Sequence, residues 1–285
     1  MSKPNMTELI IYFSKKWELS NLRSLDLPFN NYIAIAFSAN YNIDVVLKIL
    51  LVDTHEIEAL RLFNGHSCVK LLEYDLDKKG MLLEYIQPGI TLKTLFPVND
   101  TKAAKITAEI IKNLVVQNYS QESVFKTVNQ WLEVLHNLKS KRISEHLLKK
   151  AKRLAEQLLS AKQELYLLHG DLHHDNILQF SVGSDDWIAI DPKGVIGPLE
   201  YEVGRFIMNP FPDLLQHADA KEIIKTRIDI FSEIFGFEKQ RLLDWVFVQA
   251  VLSACWTEQN KNEMFFNYFI KFAQTIESLH LDSNS

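Results

Sequence analysis

The chain has little cysteine, no excess of positive charge and no apolar run long enough to cross a bilayer, and each shortage excludes a class of protein. Only Cys68 and Cys255 occur among 285 residues. They lie far apart and without metal-ligand spacing, which speaks against a disulfide framework or a zinc site and suits reduced, buried thiols. A formal net charge of -5 argues against a nucleic-acid partner, whose footprint is a basic patch. The longest uncharged apolar stretch, around Trp245 to Trp256, is too short to span a membrane. The opening segment, MSKPNMTELIIYFSKKWELS, places charges too soon after its short apolar part for a signal peptide. A cytoplasmic protein with no membrane partner is therefore expected.

What is present reads as an ordinary globular composition, 47% hydrophobic and 24% charged. The length allows two lobes, because single cores stop growing near this size. Tyr32–Phe37 and Asp44–Leu51 are short and rich in β-branched and aromatic residues, as strands are. A helix is predicted next, capped by Asp53 or Thr54, with Glu56 in its first turn, Ile57, Leu60 and Phe63 on one side, and Gly65 as its stop. Val69–Tyr74 and Met81–Ile86, joined by Asp-Leu-Asp-Lys-Lys-Gly, read as a hairpin. Gln87-Pro88-Gly89 is the boundary the sequence favours, dividing 1–86 from 87–285.

Beyond it the periodicity turns helical, at Val124, Val128, Trp131, Leu135 and Leu138 and again at Leu147, Ala151, Leu154 and Leu158. Tyr166–Phe180 and the short strand Trp187–Ile190 interrupt the helices, which resume from about Ala218 to Leu281. The expected class is α+β: a small antiparallel-sheet lobe with one helix, then a larger, mainly helical lobe.

Residues 169–194 read HGDLHHDNILQFSVGSDDWIAIDPKG. Four residues separate Asp171 from Asn176, the spacing of a kinase catalytic loop. An aspartate there orients the attacking hydroxyl, and the asparagine offers a neutral oxygen to Mg²⁺. Two apolar segments bridged by Ser-Val-Gly-Ser-Asp-Asp follow, and Asp191 stands at the end of the second, placed to join Mg²⁺ to nucleotide phosphates. An Asp-rich loop alone is usually a solvated turn. The ordered run of base, amide, hairpin and carboxylate is far more specific.

His169-Gly170-Asp171-Leu172-His173-His174-Asp175-Asn176-Ile177-Leu178 resembles the catalytic segment of the aminoglycoside phosphotransferase family. Asp191-Pro192-Lys193-Gly194, Ile196-Gly197-Pro198, Tyr201-Glu202-Val203-Gly204 and Asn209-Pro210 are similar to its streptomycin 6-kinase and hydroxyurea phosphotransferase branch. The resemblance implies a bilobal, protein-kinase-like fold, with 1–86 the nucleotide-binding lobe and 87–285 the catalytic and substrate-binding lobe. It implies ATP as donor (with GTP open), Mg²⁺, and transfer to a hydroxyl of a small molecule, a streptomycin-like aminoglycoside or aminocyclitol. Lys48 matches the strand lysine that contacts phosphates. The family pattern selects Glu58 as its partner, although Glu56 lies on the same short helix. Glu84 and Ile86 fall in the hinge that receives adenine.

No glycine occurs between Phe37 and Lys48, so a glycine-rich phosphate cover is missing and Ser38, or amides near Asn40, is left to cap the phosphates. His169 is expected to pack the loop base, and His173 and His174 lack a third ligand for a metal. Lys193 is either a further phosphate cation or a turn lysine. Asp175 sits where the family often has glycine, near the acceptor. For a cationic acceptor the carboxylates offered are Glu200, Glu202, Asp213, Glu258 and Glu263, with Glu202 and Glu258 foremost. Alternatives are a kinase of another small metabolite, a protein kinase, or a non-catalytic nucleotide-binding module. Neither Asp-Phe-Gly nor Ala-Pro-Glu is present to bound an activation loop.

Overall fold

The computed structural model describes residues 5–25, 31–52, 55–114, 124–138, 140–181 and 186–282. The small lobe opens with a helix the sequence reading did not include, α1 (Met6–Lys16). Asn5 caps it, its side chain accepting from the Thr7 amide at 3.1 Å. Leu9, Phe13 and Trp17, four residues apart, form its buried stripe. That stripe covers one face of a five-stranded antiparallel sheet, packing on Ala36, Val45, Leu47, Ile49 and Leu82. The strands are β1 (Leu19–Ser24), β2 (Tyr32–Ser38), β3 (Ile43–Ile49), β4 (Leu71–Asp75) and β5 (Gly80–Glu84), in the order β1-β2-β3-β5-β4.

Between β3 and β4 lies α2 (Glu56–Phe63). The proposed caps Asp53 and Thr54 lie outside the described residues. At its other end the left-handed residue is Asn64 (φ 49), directly before the equally left-handed Gly65 (φ 76). Ile57, Leu60 and Phe63 join the main core beneath the opposite face of the sheet. Strand alternation assigns the faces: Val45, Leu47 and Ile49 point toward α1, so Val46 and Lys48 point toward α2.

The large lobe runs β6 (Ile90–Thr91), a 3-10 turn at Leu92–Leu95, α3 (Asp100–Asn113), β7 (Lys126–Thr127), α4 (Val128–Asn137), α5 (Glu145–Ser160) and β8 (Tyr166–Leu168). A 3-10 turn at His174–Asn176 leads into β9 (Ile177–Gln179), then β10 (Trp187–Ala189) and β11 (Val195–Gly197). The chain ends in α6 (Leu199–Ile207), α7 (Asp213–Gln216), α8 (Ala220–Phe235), α9 (Lys239–Gln259) and α10 (Glu263–Asp282). A capping box of Thr127 and Gln130 starts α4, which leaves Val124 exposed ahead of the helix rather than on its stripe. The stripe predicted for α5 is buried throughout: Leu147, Ala151, Leu154 and Leu158.

Helix α9 is buried on all sides from Trp245 to Cys255, and α5, α6 and α10 pack around it. Its Trp245–Trp256 run is thereby a core segment. No helix among the described residues is long and apolar enough to cross a membrane. Two three-stranded sheets, β10-β9-β6 and β7-β11-β8, carry the motif segment. The bilobal α+β architecture is that of a protein kinase.

Candidate active site

Lys48 is 2% exposed and is held between two carboxylates from opposite directions. Its Nζ lies 2.7 Å from Glu56 Oε1 and 2.6 Å from Asp191 Oδ1. Burial disfavours the ammonium, but Glu56 and Asp191 outweigh it and raise the Lys48 pKa. The partner on α2 is thus Glu56 and not Glu58. These residues are two positions apart, about 200° around a helix, so only one can face the sheet. Glu56 does so and is 4% exposed. Burial pushes the Glu56 carboxyl above its ordinary value.

Ser38 does not meet the cleft. Ile33 pairs with Lys48 and Ser38 with Ile43, so alternation turns Ser38 to the α1 face with Ala36. Its hydroxyl is buried there without a partner, so the side chain is not placed to cap phosphates as expected. Glu84 ends β5 with its carboxylate accepting from the Lys70 amide at 2.6 Å, and Ile86, 7% exposed, packs into the main core.

The loop after β8 is built from backbone requirements. Gly170 has φ 80, and a Cβ there would stand 2.9 Å from Val195 and 3.1 Å from Trp131, so a larger residue is barred twice over. His169 is fully buried, its Nε2 donating to the Ile190 carbonyl at 2.8 Å and its Nδ1 accepting from the Asp171 amide at 3.3 Å. Burial lowers its pKa to about 4, so it stays neutral and structural. His174 is also fully buried, stacked on Phe206 at 4.2 Å and beside the Asp100–Arg227 ion pair. Burial lowers its pKa to about 3. Asp175 points outward, with a side chain 47% exposed.

Asn176 donates from Nδ2 to the Asp171 carbonyl at 2.9 Å, tying the two ends of the loop together. Ala189 pairs with Ile177, and the Ile190 amide donates to the Asn176 carbonyl at 2.9 Å. The β9–β10 hairpin therefore brings Asn176 and Asp191 to its open end, while residues 182–185 of its turn lie outside the described residues. Asp191 adopts φ 61, a conformation Asp tolerates but seldom uses.

Asp171 is flanked by cations. Arg205 Nε donates to Oδ1 at 2.8 Å, and Lys193 Nζ stands 3.8 Å from Oδ2. Burial pushes the carboxyl up, but Arg205, His173 and Lys193 outweigh it and hold the group far below the usual carboxylate range. Arg205, which the sequence reading passed over, lies three residues after Glu202 on α6, and its Nη1 donates to Ser253 Oγ on α9 at 3.1 Å. Gly204 lets these helices approach, since a Cβ there would stand 2.5 Å from Gln249. The available signal was the i, i+3 spacing of Glu202 and Arg205, which places both on one helix face.

The carboxylates offered for a cationic acceptor have partners elsewhere, except that the Oε2 of Glu258 is buried without one. Glu202 is 3% exposed and accepts from the Gly170 amide with both oxygens at 3.1 Å. It anchors the loop from beneath, and burial raises its pKa to about 7. Glu258 accepts from Ser140 Oγ at 2.9 Å, and its place five residues beyond Ser253 turns it about 140° from the face that meets Arg205. Glu200 meets Arg241 at 2.7 Å, Asp213 meets Lys93 at 2.6 Å, and Glu263 meets Arg142 at 2.7 Å.

No group of three or more His, Cys, Asp or Glu suited to a metal occurs among the described residues. Asp191 and Asn176, brought together by the hairpin, would instead supply one carboxylate and one amide oxygen, a set that suits Mg²⁺ when phosphates complete its shell.

A family model described as aminoglycoside/hydroxyurea antibiotic resistance kinase matches residues 45–261. The streptomycin 3''-kinase of Klebsiella pneumoniae is 33% identical over 162 residues, covering 55% of this chain and 58% of its own. The streptomycin 6-kinase of Streptomyces glaucescens is 24% identical over 206 residues, covering 70% of this chain and 65% of its own. The chain thus matches less than two thirds of the length of either relative. Among solved structures, aminoglycoside phosphotransferase APH(4)-Ia superposes with a TM-score of 0.71 at 14% identity, covering 95% of this chain and 98% of that one. At that identity the likeness concerns the fold alone.

Proposed function

We propose a function for a chain that, by a match over residues 45–261, belongs to the aminoglycoside/hydroxyurea antibiotic resistance kinase family: ATP-dependent transfer of a phosphoryl group to a hydroxyl of a small molecule. The observation that carries the proposal is Lys48, buried and bonded to both Glu56 and Asp191 at the mouth of the loop that holds Asp171 and Asn176. Phosphoryl transfer needs little beyond positioning and charge neutralisation, and this set supplies both.

In the proposed mechanism the segment Glu84–Ile86 receives the adenine through its backbone, at a lobe boundary placed between residues 86 and 87. Lys48, steadied by Glu56, holds the phosphates nearer the nucleoside. Asp191 and Asn176 would hold Mg²⁺, which neutralises phosphate charge when bound. Asp171 accepts a hydrogen bond from the acceptor hydroxyl and aims it in line with the terminal phosphorus. Its carboxylate is a weak base among three nitrogenous neighbours, so it steers the hydroxyl and takes the proton late. Lys193, with a side chain 48% exposed, is free to turn toward the transferred group.

For the acceptor, the family match and the two streptomycin kinases support a streptomycin-like aminocyclitol. A second reading, a small neutral acceptor, is favoured by the ion pairs of Glu200, Asp213 and Glu263, by the loop contacts of Glu202, and by Arg205 and Lys193 beside Asp171. In either case Asp175, exposed at the loop tip, is the acid nearest in sequence to the reacting centre. Release of ADP from Mg-ATP by the purified protein, with streptomycin and hydroxyurea compared at low and high salt, tests the proposal. A cationic acceptor bound by exposed charges shows a KM that rises with salt, because those charges are screened. No acceptor-dependent ADP release from either class would reject the proposed activity.

A further inference from the structure

We infer that Arg205 is a positioning residue for phosphoryl transfer, holding Oδ1 of Asp171 so that Oδ2 faces the acceptor hydroxyl; the inference rests on the reading of Asp171 given above. Arg205 meets Oδ1 through Nε at 2.8 Å and is itself anchored through Nη1 to Ser253 at 3.1 Å. Ser253 is 3% exposed on α9, so the anchor lies in the core of the lobe. From the same face of α6, Glu202 holds the Gly170 amide with both oxygens. One helix thus fixes two consecutive loop residues, one through its backbone and one through its side chain. A carboxylate with one oxygen held cannot rotate freely about its last bond.

The charged and titratable neighbours divide between the two oxygens. On Oδ1 lie Arg205 and, at 3.9 Å, His173 Nε2. Toward Oδ2 stands Lys193 Nζ at 3.8 Å, beyond hydrogen-bond distance and on a side chain 48% exposed. Beneath the loop, buried His169 and Glu202 meet its backbone rather than the carboxylate oxygens. Oδ2 is therefore the oxygen left to a hydroxyl. A lysine at 205 would carry the charge without the guanidinium fork that spans Asp171 and Ser253.

The test compares Arg205→Met, Arg205→Lys, Arg205→Gly, Ser253→Ala and Asp171→Asn in the full chain. The probes are Mg-ATP with streptomycin and Mg-ATP alone, the latter reading transfer to water. Misplacement of a reacting group costs about 10²-fold, and a fall of that order in kcat is expected for Arg205→Met, with KM for ATP within about twofold. Arg205→Lys is expected to recover part of the loss, added guanidinium to raise the rate of Arg205→Gly, and Ser253→Ala to show a smaller fall of the same kind. Unchanged kcat in Arg205→Met, or a loss that neither lysine nor guanidinium relieves, would overturn the inference. If Arg205→Met fails to fold, Ser253→Ala decides, and an unchanged kcat there counts against it. Wild-type turnover in Asp171→Asn would instead overturn the reading of Asp171 itself.

Discussion

Replacing Lys48 by methionine removes the ammonium while keeping most of its apolar stem, and the structure sets the expected cost. Lys48 is 2% exposed and Glu56 4% exposed, with 2.7 Å between Nζ and Oε1. Removing one partner of a buried ion pair costs about 3–5 kcal/mol, because the other charge stays buried. For chains near this length each kcal/mol lowers Tm by about 2–4 °C, so Lys48→Met is expected to melt roughly 10 °C lower at neutral pH. The sign of the pH dependence follows from Glu56. Its folded-state pKa is already raised by burial, and losing the ammonium raises it further. The variant is therefore penalised fully above that pKa and relieved as falling pH protonates Glu56. Adding Glu56→Gln should recover much of the loss, whereas adding Glu58→Gln should recover none. Thermal melts of the single and double variants from pH 5 to pH 8 measure all of this. A Lys48→Met protein within about 1 kcal/mol of wild type, the range of an exposed pair, or one rescued equally by Glu58→Gln, would refute the reasoning.

Two further outcomes follow from the same contacts. Asp191→Ala is expected to abolish the effect of Mg²⁺ on ATP affinity, because it removes the proposed carboxylate ligand; unchanged coupling in a Mg²⁺ titration of ATP binding would reject that role. Glu202 has a folded-state pKa raised from 4.5 to about 7, so stability should fall, on the order of 3 kcal/mol, as pH rises from below 4.5 to above 7. Denaturant melts of Glu202→Gln should show a flatter pH profile than wild type, and an identical slope would count against a buried, titrating Glu202.

The geometry of the motif segment was legible because it is local: the spacing of Asp171, Asn176 and Asp191 is fixed by one loop and one hairpin, which pairing of Ile177 with Ala189 closes as the sequence implied. Residues whose roles depend on tertiary approach were read less well. Glu202 was read as a carboxylate for a cationic acceptor because nothing in α6 alone records that the Gly170 amide lies above it. The choice between Glu56 and Glu58 turns on which side of a short helix meets the sheet, and the pattern of Ile57, Leu60 and Phe63 leaves that to the docking angle. Ser38 was misplaced for want of register: once Ile33 pairs with Lys48, alternation sends Ser38 to the other face. Helix α1 did carry a signal, Leu9, Phe13 and Trp17 at four-residue spacing. Helix α3 packs largely through Ala103, Ala104 and Ala108, small residues that make a faint stripe.

The measurement that bears most directly on the kinase assignment is phosphoryl transfer by the wild-type protein and by Asp171→Asn, with Mg-ATP and streptomycin. Product is followed by ADP release and by the mass of the acceptor. The wild-type protein is expected to add one phosphoryl group to the acceptor, and Asp171→Asn to bind ATP as before while turning over at least ~10²-fold more slowly, the low end for a lost general base. Turnover within about threefold of wild type in Asp171→Asn, well short of that loss, would contradict the assignment of Asp171 and the mechanism built on it.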